Sequence, residues 1–101
     1  MINMANFNRT KIFTKSNIKK IPNNKAIVYK IKNNFSKTLY IGIAGRGRVE
    51  DRLMEHKEIK KEMILGGTKF QFVQVKNKKI AEKIEKQIIR KEQPKFNIQN
   101  K

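Results

Sequence analysis

The sequence contains no cysteine, and its only histidine is His56. Without cysteine the chain cannot form a disulfide, a thiolate zinc site or a cysteine nucleophile. A single histidine also excludes a metal site built from a cluster of histidines. Any metal site in this chain must therefore be of another kind.

Long apolar segments are missing too. No run of about 7–15 apolar residues follows the N-terminus, and no stretch of about 18 apolar residues occurs anywhere in the chain. Neither a secretion signal nor a membrane span is therefore predicted. We expect an intracellular, cytoplasmic protein from a bacterial or phage-type context, with one domain whose core is small.

Acidic residues are scarce, since 8 Asp and Glu accompany 25 Lys and Arg and the formal net charge is +17. This imbalance exceeds what solubility requires, and it indicates a polyanionic partner, with nucleic acid as the first candidate. The sequence is also rich in Lys, Asn and Ile, as an AT-rich coding sequence would be. That bias explains part of the lysine excess, but it does not explain where the arginines lie.

The apolar spacing predicts five elements after a basic N-terminal segment. Residues 1–24 are polar with scattered apolar positions, which predicts a mobile or loosely docked arm. A β-hairpin is predicted from the alternating segments AIVYKIK and TLYIGI. A helix over 49–64, a strand over 69–75 and a helix over 78–92 follow. This β-β-α-β-α order predicts a compact α/β (α+β) domain with one small sheet.

Polar side chains fall on the apolar faces of both predicted helices. The arc that contains Val49 and Leu53 also holds Arg52 and His56, and Glu85 borders the apolar stripe of the second helix. An inward arginine is costly unless it is paired or opens into a cleft. Two interpretations stay open: a buried Glu85–Arg52 ion pair with a half-buried histidine, or a catalytic site.

The polar positions and the two tyrosines together resemble the motifs of the GIY-YIG endonuclease family. Tyr29 and Tyr40 could pack on one face of the hairpin, as strand aromatics usually do. However, the matching segments occur in family order: IVY at 27–29, YIG at 40–42 after ten intervening residues, RLMEH at 52–56 and EKQIIRKEQPKFN at 85–97. The resemblance implies a nuclease domain over 25–98, between the arm at 1–24 and a tail at 99–101.

This resemblance implies a three-stranded antiparallel sheet flanked by helices, one Mg²⁺ or Mn²⁺ ion per active site, and hydrolysis of DNA phosphodiester bonds. It assigns the metal ligand to Glu85 and a nucleic-acid contact to Asn97. The catalytic positions that it implies are Tyr29, Tyr40, Arg52, His56 and Glu85.

Three features of the sequence depart from the family pattern. Ile27 replaces the first motif glycine, Ile43 stands where many members carry lysine, and the loop before Arg52 is longer. Arg46 or Arg48 can supply the positive charge that is missing at position 43. Their loop also contains two glycines, which suits close approach to a phosphate backbone. The alternative is a turn with two solvated arginines.

The residue types suit phosphodiester hydrolysis. A single carboxylate such as Glu85 can be enough for Mg²⁺, which keeps most of its waters, and Arg52 offers a charged donor pair to the scissile phosphate. We expect Tyr29 to take the proton of the attacking water, with Tyr40 and His56 orienting it or relaying the proton. Arg52, the metal and the net charge are expected to lower the pKa of Tyr29.

Two other classes of function stay open. One is a catalytically inactive nucleic-acid-binding module that keeps the GIY-YIG fold, and the other is a basic protein that binds RNA or acidic proteins. The preferred partner is double-stranded DNA. Because cutting both strands at one place needs two opposed active sites, double-strand cleavage would require a homo-oligomer, whereas a monomer should mainly nick.

Overall fold

The computed structural model describes residues 7–99, in which four strands form one antiparallel sheet with the order β1-β4-β2-β3. In chain order the elements are β1 (Lys11–Ile12), α1 (Lys15–Lys19), β2 (Ala26–Lys32), β3 (Thr38–Ala44), α2 (Val49–Glu58), a 3₁₀ turn (Lys60–Glu62), β4 (Lys69–Val75), α3 (Lys78–Glu92) and α4 (Lys95–Gln99). Within this range no helix is long and apolar enough to cross a membrane.

The central strand β2 is buried on both faces because β3 and β4 flank it and helices cover both sides. On one face Tyr29 packs in a core with residues such as Leu53 of α2 and Phe70 of β4. On the other face Val28 packs in a core with Ile88 of α3. The sheet therefore separates α2 from α3, and β3 forms the edge that both helices can reach.

The predicted hairpin and the second predicted helix are confirmed. In the hairpin Tyr29 of β2 pairs with Gly42 of β3. Asn77 starts α3 by accepting a hydrogen bond at its side chain from the backbone N–H of Ile80 at 2.9 Å. This helix ends before Gln93, which has a φ of 46° and precedes Pro94. These ends are encoded locally, by a capping side chain and a proline.

The first predicted helix is shorter than expected. It ends at Glu58 rather than at residue 64, because Ile59 is extended and the chain then forms the 3₁₀ turn. Ile59 and Met63 are 48% and 44% exposed, so they do not belong to the buried apolar face from which the longer helix was predicted. The helical periodicity assigned to these two residues was coincidental.

The N-terminal segment corrects two predictions. Its short strand β1 pairs with β4, so the sheet has four strands instead of three. The segment is also docked rather than loose, since Phe13, Ile18 and Ile21 are buried in the core. Residues 1–6 and 100–101 of the predicted arm and tail lie outside the described range. The domain boundaries at 25 and 98 stay a prediction.

Candidate active site

A buried tyrosine and the only histidine form the centre of the site. The Tyr29 Oη lies 2.7 Å from His56 Nε2, and His56 Nδ1 lies 2.8 Å from the main-chain oxygen of Glu62. Because a carbonyl only accepts, Nδ1 must carry the proton that bonds Glu62. In a neutral imidazole Nε2 is then the acceptor, and the Tyr29 hydroxyl donates to it.

Burial controls the protonation of this pair. The Tyr29 side chain is fully buried, and burial raises its pKa well above the usual value, with the charges of Tyr40 and Glu85 adding to the effect and Arg52 opposing it. Among the protein groups the loss of hydration outweighs the nearby cation, so without a bound metal ion the pKa of Tyr29 is raised rather than lowered. Burial also lowers the pKa of His56, which keeps the ring neutral near pH 7.

Gly42 gives Tyr29 the room to reach His56. A Cβ atom at position 42 would lie 2.5 Å from Tyr29 Oη and 2.9 Å from Tyr40 Cε2. Both distances are too short for non-bonded atoms. The glycine of the YIG segment is therefore a packing requirement of the two tyrosines.

We expect Gly42→Ala to destabilise the fold by about 1–3 kcal/mol, because overpacking forces buried side chains to shift. The matched control is Gly45→Ala, since a Cβ atom there would meet nothing within 4 Å. Urea unfolding measures both changes. If Gly42→Ala is as stable as Gly45→Ala, the close packing of Tyr29 over β3 is incorrect.

Arg52 is half-buried and held by two carboxylates. Its Nη1 donates to Glu55 at 2.8 Å and to Glu62 at 3.3 Å, while Nη2 donates to the Tyr40 hydroxyl at 3.4 Å. The alternative of a Glu85–Arg52 ion pair is not realised among the described residues. Glu62 thus contacts the two inward-facing polar residues of α2, with its side chain on Arg52 and its main chain on His56.

Tyr40 completes a cluster of three rings. Its ring centroid lies 4.8 Å from that of His56 and 6.2 Å from that of Tyr29. Tyr40 is only partly buried, and this burial raises the pKa of its hydroxyl despite the opposing charge of Arg52. The predicted pair of tyrosines therefore shares one face with Arg52 and His56.

Glu85 approaches this cluster from α3, across the edge strand. Its charge contributes to the raised pKa of both Tyr29 and Tyr40, so the carboxylate lies within electrostatic reach of the two rings. The side chain is half-buried, and burial raises its own pKa, with a further contribution from Glu82. No ion pair in residues 7–99 includes Glu85.

These properties fit a divalent cation. A half-buried carboxylate with a raised pKa and no cationic partner gains stability when a cation binds beside it. Within residues 7–99 no group of three or more His, Cys, Asp or Glu side chains could hold an ion. Glu85 alone would suit Mg²⁺, which is often held by one or two carboxylates together with water and phosphate oxygens.

Asn97 makes two hydrogen bonds to the edge strand β3. Its Oδ1 accepts from the backbone N–H of Ile41 at 2.8 Å, and its Nδ2 donates to the carbonyl of Ile41 at 2.9 Å. The amide therefore pairs with the edge strand as a further strand would, and it fixes α4 beside β3. Both ends of the amide are engaged in these bonds, and the contact of Asn97 with nucleic acid stays a prediction.

Arg46 and Arg48 lie exposed in the loop between β3 and α2, as predicted. Arg48 is 3.6 Å from Glu55. The loop is fixed by Asn23, whose main-chain oxygen accepts from Gly47 and whose Oδ1 accepts from the backbone N–H of Val49, both at 3.0 Å. The first turn of α2 is thus capped from a distant segment.

Three contributors to the site were missed in the sequence: Asn23, Glu55 and Glu62. Glu55 had a recognisable signal, because it lies three residues after Arg52 on a helix and such pairs face each other. Asn23 and Glu62 reach the site only through tertiary structure. No spacing rule could have identified them.

Comparison with solved structures gives the same fold. A magnesium-bound structure of the GIY-YIG N-terminal endonuclease domain of UvrC from Thermotoga maritima has a TM-score of 0.66 and 26% identity, covering 82% of this chain and 98% of that chain. A point mutant of that domain, bound to its catalytic divalent cation, has a TM-score of 0.66 and 26% identity. The match covers 82% of this chain and 97% of that chain.

Comparisons of sequence alone do not detect the similarity to the UvrC domain. No family model and no curated protein matches the sequence. The match to the UvrC domain nevertheless extends over nearly all of that domain. Together with the ordered IVY, YIG, RLMEH and EKQIIRKEQPKFN segments, this similarity shows that the chain has the fold of the GIY-YIG endonuclease domain of UvrC and supports the resemblance to that family.

Proposed function

We propose that this protein is a divalent-metal-dependent endonuclease that hydrolyses DNA phosphodiester bonds. The observation that carries the proposal is the convergence of three kinds of group at the edge strand β3. These are the Tyr29–His56 hydrogen bond, the Arg52 guanidinium and the Glu85 carboxylate. The magnesium-bound UvrC domain has the same fold, which supports Mg²⁺ as the cofactor.

Glu85 would hold the ion. When bound, Mg²⁺ supplies positive charge that stabilises the developing negative charge on the phosphate and on the leaving oxygen. A cation beside Glu85 also offsets the burial that raises the pKa of its carboxyl group, so the side chain stays ionised. Glu85 is only half-buried, so its carboxylate is accessible to an ion and to a DNA strand.

Tyr29 and His56 can move a proton without a preformed phenolate. As the Tyr29 oxygen takes a proton from the attacking water, its own proton passes to His56 Nε2 along the 2.7 Å hydrogen bond. The resulting imidazolium keeps its bond to the carbonyl of Glu62. The raised pKa of Tyr29 is compatible with this role because the neutral histidine is the final acceptor.

Arg52 would stabilise the charge on the scissile phosphate. Its guanidinium is occupied by Glu55 and Glu62, so a phosphate must replace or share one of these partners. The Tyr40 hydroxyl, which accepts from Nη2, then orients the guanidinium towards the other rings. Planar, bidentate donation is the reason for an arginine rather than a lysine at this place.

Cleavage should fall as the pH decreases through the lowered pKa of His56, which lies below the ordinary value of 6.5. The neutral ring is the proton acceptor, and it is lost on protonation. The unfolded chain binds this proton at higher pH than the folded chain, so stability should fall in the same direction. Single-turnover rates and urea unfolding over this pH range test both expectations. A rate that rises on acidification would contradict the role of His56.

A supercoiled plasmid tests the proposed activity. With Mg²⁺ or Mn²⁺ we expect conversion to the nicked circle, and EDTA should abolish the conversion. One active site per chain favours nicking by a monomer, and double-strand breaks should appear only where a dimer forms. A plasmid that stays intact with both metals over a wide range of protein concentration would overturn the proposal.

A binding module without cleavage is the second candidate, and the ion pairs of Arg52 favour it. If Glu55 and Glu62 keep the guanidinium when DNA binds, the phosphate loses its main source of charge stabilisation. Such a protein would bind DNA through its basic surface and leave it uncut. The plasmid experiment combined with a gel shift distinguishes the two candidates.

A further inference from the structure

A basic cavity of about 550 Å³ opens at the end of the sheet where β2 begins and where β3 and β4 end. Its cationic lining residues come from three separate segments: Lys25, Arg46, Lys76 and Lys78. No carboxylate lines it. We call it the basic cavity.

The charge of this cavity does not simply follow from the high lysine content. A second cavity, of about 290 Å³ beside α2, is lined by the carboxylates of Asp51, Glu55 and Glu58 and by only one cation, Arg48. In contrast, the four cations of the basic cavity are exposed and form no ion pair with the described residues. Four cations from three segments, unpaired within the described residues, therefore line one cavity.

The start of α3 adds to this positive potential. Asn77 and Lys78 lie at the N-terminus of a 15-residue helix with no acidic residue in its first turn. The aligned peptide dipoles place partial positive charge at this end. The lysines of the flanking segments and the positive end of the helix dipole would therefore attract the same anion.

Counting residues along β2 and along α3 gives the same distance between the basic cavity and the catalytic groups. Ala26 at its wall precedes Tyr29 by three residues on β2, which corresponds to about 10 Å at about 3.3 Å per residue. Lys78 precedes Glu85 by seven residues on α3, which is also about 10 Å at about 1.5 Å per residue. Successive phosphates of one DNA strand lie farther apart than the axial rise of about 3.4 Å per nucleotide, so this distance spans at most about three nucleotides.

We propose that the basic cavity is a second phosphate-binding site, which holds the backbone of the cleaved DNA strand within about three nucleotides of the scissile phosphate. The inference rests on the proposed function for the identity of the first site. Its contacts are to phosphate, so it contributes affinity and fixes the register of the strand without selecting bases.

A charge-matched pair of triple variants tests the contribution to affinity. The cavity variant carries Lys25→Gln, Lys76→Gln and Lys78→Gln. The control carries Lys19→Gln, Lys20→Gln and Lys37→Gln, which removes the same charge from exposed lysines with no ion pair among the described residues. Binding to a short duplex is measured in EDTA, where cleavage cannot occur.

We expect the cavity variant to bind more weakly than the control, and its slope of log K against log salt to be flatter by about 0.9 for each lost phosphate contact. Circular dichroism and urea unfolding show whether both variants are folded. If the two variants lose affinity and slope equally, only the net charge matters and the proposal is overturned.

A scan with single neutral methylphosphonate linkages locates the contacts. We expect wild-type binding to weaken at two groups of linkages that lie no more than about three nucleotides apart on one strand. The cavity variant should lose its sensitivity only at the outer group. A single group in the wild type would overturn the proposal. The scan needs no cleavage, so it is independent of the plasmid assay. If the scan shows two groups of sensitive linkages while the plasmid stays uncut, the nuclease proposal is refuted but the second phosphate-binding site is supported.

Discussion

Glu85→Gln should bind DNA as tightly as the wild-type chain and cleave it about 10²–10³-fold more slowly. The amide has the size of the carboxylate but not the charge that holds a divalent cation. Losing the charge stabilisation of the ion should raise the barrier by about 3–4 kcal/mol, and each 1.4 kcal/mol is about tenfold in rate. The basic surface is unchanged, so the affinity for phosphates should remain.

The matched control for this substitution is Glu82→Gln, which makes the same chemical change on the same helix. Glu82 is exposed, and its charge contributes to the raised pKa of Glu85. Its loss should leave single-turnover cleavage close to the wild-type rate. If Glu85→Gln cuts as fast as Glu82→Gln, Glu85 is not the metal ligand.

Tyr29→Phe should slow cleavage by about 10²–10⁴-fold, the usual contribution of proton transfer by a positioned side chain. The substitution removes only the hydroxyl that bonds His56 and keeps the ring in the core. It also leaves a buried histidine nitrogen without its donor, which should cost about 1–3 kcal/mol of stability. Urea unfolding separates this cost from the effect on the chemical step.

Tyr40→Phe identifies which tyrosine takes the proton. Tyr40 bonds Arg52 rather than His56, so its hydroxyl should affect the rate less if Tyr29 is the base. Single-turnover rates of both variants, measured at saturating DNA and metal, give the comparison. A larger loss in Tyr40→Phe would transfer the role to Tyr40, which is also the more exposed of the two.

Much of the site could be predicted from the sequence because its residues follow local periodicity. The inward positions of Arg52 and His56 follow from the helical spacing of α2, and the pairing of the tyrosines follows from the hairpin. The ends of α3 follow from Asn77 and Pro94. Ile27, which stands in place of the first motif glycine, is accommodated because its side chain is fully buried in the core.

Other features depend on contacts that the sequence does not reveal. The N-terminal segment docks because separate apolar residues such as Phe13 and Ile18 find places in the core, although their spacing follows no regular period. Glu62 reaches His56 and Arg52 only because α2 ends early and the 3₁₀ turn folds back. Counting charges did not reveal that burial raises the pKa of Tyr29 by more than the charge of Arg52 lowers it.

The binding of Mn²⁺ tests the central claim most directly, because the ion is followed by its own magnetic resonance signal. We predict one bound ion per chain for the wild type and Glu82→Gln, and none for Glu85→Gln at the same concentrations. The single-turnover cleavage rate should rise in proportion to the fraction of chains that have Mn²⁺ bound. Equal Mn²⁺ binding by Glu85→Gln and the wild type, or cleavage that proceeds without bound metal, would contradict the account.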